Sequence, residues 1–232
     1  MVSSDNLWLQ EVYGYAMPQL LVHVPPHPFL RHWLTLARDR HTPTPLFRTA
    51  IAEMGKWLTY EAIRDCLPTN PVTIETPLGE TTGQVIDGSA SLAFVPILRA
   101  GLAMLDGCLP LLPTAKVYHL GLVRNETTLQ PSCYLNRLPD QFQPQCLILI
   151  PEPMLATGGS MIQALKLLQE RGANFSLVRI LNIICAPPAL RQINALFPEV
   201  QIYSCAIDEV VNQQGWIVPG LGDAGDRSFG TD

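Results

Sequence analysis

The sequence predicts an α/β fold: a mainly parallel sheet flanked by helices, with further helices ahead of it at the N-terminal end. Two observations carry this expectation. Uninterrupted Ile/Leu/Val-rich runs recur at 92–98, 115–123, 146–150, 177–184 and 200–206, and stretches of helical periodicity separate several of them. Strands buried on both faces read as continuous apolar runs, and a helical crossover between consecutive strands makes them parallel. The length, 232 residues, suits one large α/β domain.

In chain order, residues 1–27 form a mixed segment ending in Pro25-Pro26-His27-Pro28. We read it as an N-terminal extension ahead of a domain spanning 28–232. Residues 29–40 and 45–63 are expected helices, joined by His41-Thr42-Pro43-Thr44. In the second, Phe47, Ile51, Met54 and Leu58 recur at helical spacing. Residues 65–91 are rich in Pro, Gly and Thr, with short strand-like pieces at 72–75. Beyond them, 92–98 is an apolar run, 101–109 a short helix, and 115–123 and 146–150 are strands. Residues 160–170 form a helix closed by Gly172. Strand 177–184, helix 189–196 and strand 200–206 complete the alternation. Ligands of open α/β sheets sit beyond the carboxyl ends of the strands, which directs attention to the loops at Arg99, Arg124 and Glu152.

Composition excludes several functions. Charged residues make up 15% of the chain, against about 25% in typical soluble domains. So sparsely charged a surface implies apolar area covered by a partner subunit, and a homodimer or higher homo-oligomer is the simplest arrangement. The net charge is −5, with no run of Lys or Arg, so the footprint of a nucleic-acid-binding protein is missing. The six cysteines show no CxxC pairing and no adjacent histidine, which reads as buried thiols of a reducing compartment. Asp5 and Glu11 interrupt the N-terminus, no secretory signal is expected, and no run approaches the roughly 20 apolar residues of a membrane span. The expected location is the cytoplasm, without membrane partners.

Three segments carry chemistry. The first runs from Ile148 through Glu152 and Pro153-Met154-Leu155-Ala156-Thr157-Gly158-Gly159-Ser160 into a helix. Backbone N–H groups at that helix start, with the Thr157 and Ser160 hydroxyls, suit a phosphate monoester. Glu152 at the strand end suits two ribose hydroxyls. Together they meet the demand of a ribose-5-phosphate donor; an ordinary helix cap with a glycine turn remains the plainer alternative. No Lys follows the glycines, which excludes a Walker A loop. The second is Val95-Pro96-Ile97-Leu98-Arg99-Ala100-Gly101, which places a guanidinium at a strand's carboxyl end, fitted to a polyanion such as pyrophosphate. Arg124-Asn125-Glu126-Thr127-Thr128 offers a second arginine, or a solvated turn. The third is the tail, where Gly220, Gly222 and Gly225 spell GxGxxG. Too little chain follows for a dinucleotide-binding unit. A glycine-rich main chain that approaches a flat ligand closely suits a base bearing an imide.

Residues 95–101, Tyr60-Glu61-Ala62, Arg124-Asn125-Glu126-Thr127, residues 153–160 and residues 217–226 resemble segments of uracil phosphoribosyltransferases, from about His27 to the C-terminus. The resemblance implies a type I phosphoribosyltransferase-like core with a C-terminal base-binding hood, and transfer of 5-phosphoribosyl from phosphoribosyl pyrophosphate to uracil, giving UMP and diphosphate. It implies catalytic roles for Arg99, Arg124 and Asp223. The donor would be held by Arg99, Arg124, Glu152, Pro153, Met154, Leu155, Ala156, Thr157, Gly158, Gly159, Ser160 and Asp223. Uracil would be read by main chain at Ile217, Gly222, Asp223 and Ala224. Mg2+ would ride on the donor rather than in a protein cage. One departure stands out: the family usually has an aliphatic residue and Asp where this chain has Pro151 and Glu152. That change is the sole support for an alternative, a non-catalytic regulator that binds uridine nucleotides in a retained pocket. An enzyme acting on a purine or on orotate is a further alternative, and a tail without an added cation disfavours orotate. The polar stretch from Arg124 to about Leu138 is expected to fold over the site.

Overall fold

A computed structural model describes residues 19–124 and 131–231, with Arg124 and Pro131 described by backbone only. Residues 1–18 and the Asn125–Thr128 part of the polar cluster lie outside the described residues. Within the extension, β1 (Leu21–His23) is a short strand that the sequence reading did not anticipate. Helix α1 (Pro28–Arg38) starts at a proline, whose missing N–H costs nothing in a first turn, and His27 Nδ1 accepts a bond from the Phe29 N–H at 3.2 Å. It stops two residues before the expected end because Asp39 turns to extended backbone. Helix α2 (Thr44–Ala62) buries Phe47, Ile51, Met54 and Leu58, as their spacing requires.

The Pro/Gly/Thr-rich stretch is a full antiparallel hairpin rather than short pieces. Strands β2 (Thr69–Thr76) and β3 (Gly79–Ile86) pair along their whole length, from Thr69↔Ile86 to Thr76↔Gly79. Run 92–98 also divides, into β4 (Leu92–Phe94) and β5 (Ile97–Leu98), followed by α3 (Gly101–Cys108). Run 115–123 divides into β6 (Lys116–Val117) and β7 (Leu120–Arg124). The two runs bend together. β4 pairs parallel with β6, and β5 pairs parallel with β7. Between them the Tyr118 N–H bonds to Phe94 O at 2.9 Å and the Leu120 N–H to Pro96 O at 3.2 Å. Strand β8 (Pro131–Asn136), read from sequence as part of a covering loop, returns antiparallel against β7.

The remainder alternates as expected: β9 (Leu147–Pro151), β10 (Met154–Leu155), α4 (Gly159–Glu170), β11 (Val178–Cys185), α5 (Pro187–Leu196) and β12 (Gln201–Ile207). Helix α5 begins earlier than expected because both prolines fit its first turn. The main sheet is parallel throughout, in the order β1-β12-β11-β9-β4-β6, with β10 beside β11. Alternate residues of each strand feed two cores. Phe94, Leu149 and Leu181 pack with Phe47 and Met104 under α2 and α3, while Ile148, Ile150 and Ile180 pack with Met161 and Ala189 under α4 and α5. The tail adds β13 (Val210–Val211), β14 (Ile217–Val218) and α6 (Ala224–Phe229). No helix among the described residues is long and apolar enough to cross a membrane.

Candidate active site

Beyond the carboxyl ends of β5 and β9 lie two adjoining cavities. The first, of about 280 Å³, is lined by Arg99, Glu152, Met154, Leu155, Ala156, Gly158, Gly159, Ser160 and Asp223 from the expected set. Ile97, Leu98, Ala100, Leu122, Met161 and Gly225 complete that lining. The second, of about 530 Å³, is lined by Ile217, Gly222, Asp223 and Ala224, as expected, together with Gln214, Gly215 and Trp216. Ala100, Glu152, Met154, Ala156, Asp223 and Gly225 border both, so they mark the junction. Pro153 and Thr157 are not among the lining residues. Pro153 is buried under the loop, where its carbonyl accepts bonds from the Ile183 and Ile184 N–H groups, each at 3.0 Å. Arg124 ends β7, two residues beyond the cavity-lining Leu122.

The loop from Glu152 to Ser160 has the form an anion site needs. Strand β10 is pinned parallel to β11 at Met154↔Ile184. The chain then turns at Gly158, whose φ of +94° is left-handed, and a Cβ there would stand 3.0 Å from Ala189 Cα. Helix α4 follows with that glycine at its N-cap, a residue with no side chain to bond the first-turn amides. Gly101 lets the second loop approach: a Cβ there would lie 2.4 Å from Pro151 O.

Arg99 is exposed at the cavity edge. Its Nη2 donates to Asp226 Oδ1 at 2.8 Å and its Nη1 to Thr231 Oγ1 at 3.2 Å. Asp226 also accepts from the Thr231 hydroxyl at 2.7 Å. Those two partners, Thr231 first, hold its carboxyl below the usual range. The tail thus orients the arginine, a role that the sequence reading did not assign.

Glu152 behaves differently. Burial, helped by the Asp223 charge, pushes its carboxyl up to about 8, against a weak bond from the Met154 N–H at 3.5 Å. The folded value is raised above the ordinary 4.5. Its contribution to stability is therefore fully present below about pH 4.5 and is lost as pH rises through about 8. Denaturant unfolding of the ligand-free protein at pH 5 and pH 9 should show wild type losing on the order of 4 kcal/mol relative to Glu152→Gln.

The hood is fastened by residues that motif reading passed over. Arg38, at the end of α1, grips Asp208 with two bonds of 2.7 and 2.6 Å and donates to Gly220 O at 2.9 Å. Asp208 Oδ2 in turn accepts from the Gly220 N–H at 2.9 Å. Burial alone would raise the Asp208 pKa, but the bonds from Arg38 and Gly220 outweigh it and hold the carboxyl low. Arg227 lies over the Phe47 ring and donates to Leu221 O and Asp39 O, both at 2.6 Å, and to Ala37 O. Asp223 caps α6, accepting from the Asp226 N–H at 2.8 Å. With Arg38→Ala, the 8%-exposed Asp208 would lose its counter-ion, at a cost of roughly 3 kcal/mol. Thermal unfolding should report that loss, and the KM for the base should rise with it.

The family model for uracil phosphoribosyltransferase matches residues 24–231. The uracil phosphoribosyltransferase of a Nostoc species is 58% identical over 213 residues, covering 92% of this chain and 99% of its own. That of Synechococcus elongatus is 56% identical over 214 residues, with the same coverages. A solved protein structure from Aquifex aeolicus superposes with a TM-score of 0.81 at 37% identity, covering 90% of this chain and 98% of that one. An adenine phosphoribosyltransferase from Leishmania donovani shares the fold alone, at a TM-score of 0.53 and 13% identity over 85% and 87% of the two chains. With the cleft, the glycine-started helix and the fastened tail all within the matched span, the chain belongs to the uracil phosphoribosyltransferase family.

Proposed function

We propose that the protein transfers 5-phosphoribosyl from phosphoribosyl pyrophosphate to uracil, releasing diphosphate and forming UMP in pyrimidine salvage. One observation carries the reading: a helix start with glycine at its N-cap and a glycine-rich hood open into adjoining cavities that share Asp223 and Glu152. The sugar phosphate belongs in the first cavity, with its 5′-phosphate on the amides of Gly159 and Ser160 and its hydroxyls toward Glu152. Uracil belongs in the second, against the main chain at Ile217, Gly222, Asp223 and Ala224. The bond from C1′ to the pyrophosphate oxygen breaks as N1 of uracil bonds to C1′ from the opposite face, and the N1 proton passes to solvent. Charge develops on the departing pyrophosphate, so positioning and electrostatic stabilisation are the protein's main tasks. Arg99 meets that charge, with Arg124 assigned beside it.

Mg2+ would ride on the donor's phosphates, and Asp223, bordering both cavities, is the carboxylate placed to meet it. When bound with the donor, the ion neutralises pyrophosphate charge. For assembly we propose a homodimer or higher oligomer. The β2–β3 hairpin supports it by exposing Ile74, Val85 and Ile86, each about half accessible, and a fully accessible Leu78. The six unpaired cysteines agree with a cytoplasmic, reducing setting. The regulator alternative gains no support from the relatives, which are named as enzymes. Incubation with labelled uracil, donor and Mg2+ tests the reading. UMP formation supports it, and tight UMP binding without turnover would favour the regulator.

A further inference from the structure

The stretch Pro151-Glu152-Pro153, whose first two residues depart from the family pattern, interrupts the ladder beside β11. Between the last β9–β11 pair, Leu181↔Pro151, and the first β10–β11 pair, Met154↔Ile184, two residues on each side are left without ladder partners. Neither proline brings an N–H to this stretch. The gap lies in the buried centre of the sheet, where an unmet carbonyl is costly.

Backbone bonds bridge part of the gap: the Glu152 N–H donates to Leu181 O, and Pro153 O accepts from the Ile183 and Ile184 N–H groups, each at 3.0 Å; one side chain adds to them. Asn182 is fully buried in the otherwise apolar β11. Its Nδ2 donates to Ile184 O at 2.9 Å and Pro153 O at 3.0 Å, with a longer approach to Glu152 O at 3.4 Å. Its Oδ1 accepts from Ser204 Oγ at 2.7 Å, and Ser204, also fully buried, lies 2.9 Å from Ala206 O. The amide is thus held from behind by β12 and reaches forward to the carbonyls on which Glu152 and Pro153 hang. Resting on the donor-site reading above, we infer that Asn182, braced by Ser204, is the positioning residue that sets the Glu152–Leu155 loop for the sugar phosphate.

No atom of Asn182 touches the cavity, so its effect must pass through the loop. Leucine keeps the branched skeleton of asparagine, is larger, and is apolar like most of β11. In the double variant Asn182→Leu/Ser204→Ala, both partners leave together, and the fold is expected to survive. Pro153 O would keep its two backbone donors while losing the side chain that fixes the turn's orientation.

The experiment measures the Kd of phosphoribosyl pyrophosphate with Mg2+ by calorimetry, the KM for uracil, and Tm, for wild type, Asn182→Leu and the double variant. Displacement of the loop is expected to weaken donor binding by about 10- to 100-fold in both variants. The KM for uracil should stay within about twofold, since the hood is fastened independently, and Tm should move by only a few degrees in the double variant. Unchanged donor affinity would overturn the inference, as would donor and uracil constants worsening together in step with Tm. A wild-type protein that binds donor but makes no UMP would overturn the parent reading alone, because the Kd comparison still judges Asn182. Failure of wild type to bind donor would overturn both.

Discussion

Replacing Arg99 with alanine is expected to lower kcat/KM for UMP synthesis by about 100- to 1,000-fold while leaving the fold in place. The split follows from where the side chain sits. Arg99 is 55% exposed, and its partner Asp226 is 28% exposed. An ion pair so accessible contributes less than about 1 kcal/mol to stability. Asp226 also keeps its bond from Thr231, so no buried charge is orphaned. Thermal unfolding should shift by a few degrees at most. The pyrophosphate leaving group, by contrast, loses a donor fork at the rim of a partly enclosed cavity, where charge-assisted bonds are strongest. Arg99→Lys, which keeps the charge but not the fork, should fall between. Steady-state kinetics of the three proteins decide the matter, and undiminished turnover in Arg99→Ala would remove its assigned role.

Asp223→Asn should be nearly as damaging, through charge alone. Asparagine caps helices as well as aspartate does, so the bond to the Asp226 N–H that starts α6 can persist. What disappears is the negative charge at the junction of the two cavities. We expect kcat/KM to drop about 100-fold with Tm almost unchanged. Asp223→Ala should add about 1 kcal/mol of instability from the lost cap. A second readout accompanies the first: Asp223 helps raise the Glu152 carboxyl, so Glu152 should ionise at lower pH in the variant, as a titration followed by NMR would detect. An Asp223→Asn protein retaining most of its activity would refute the charge assignment.

The parallel sheet was legible because its central strands are buried on both faces and therefore written as unbroken apolar runs. The same continuity concealed the bends. Residues 92–98 and 115–123 each look like one strand, yet they leave the main sheet together after Phe94 and Val117, and only pairing across the gap reveals it. The β2–β3 hairpin was under-read because Pro71 and the glycines of β3 argue against a regular strand, although an exposed edge tolerates them. In the tail, glycines drew attention away from a readable cap: Asp223 three residues before Asp226 has the spacing of a capping box, and α6 begins there. Much of the candidate site was legible where chemistry is local, as in the loop from Glu152 to Ser160. Arg38, Asp208, Asn182 and Ser204 were not, because each acts through at least one partner distant in sequence. An asparagine in an apolar strand was the one visible trace, since a buried amide must have partners.

The most direct test offers uracil, orotate, hypoxanthine and guanine together to the purified protein with phosphoribosyl pyrophosphate and Mg2+, and identifies the nucleotides formed. The proposed reading of an imide by the hood's main chain, with the sugar phosphate at the start of α4, predicts UMP as the dominant product. Formation of a purine nucleotide or of orotidine 5′-phosphate at a comparable rate, or of no nucleotide at all, would contradict it.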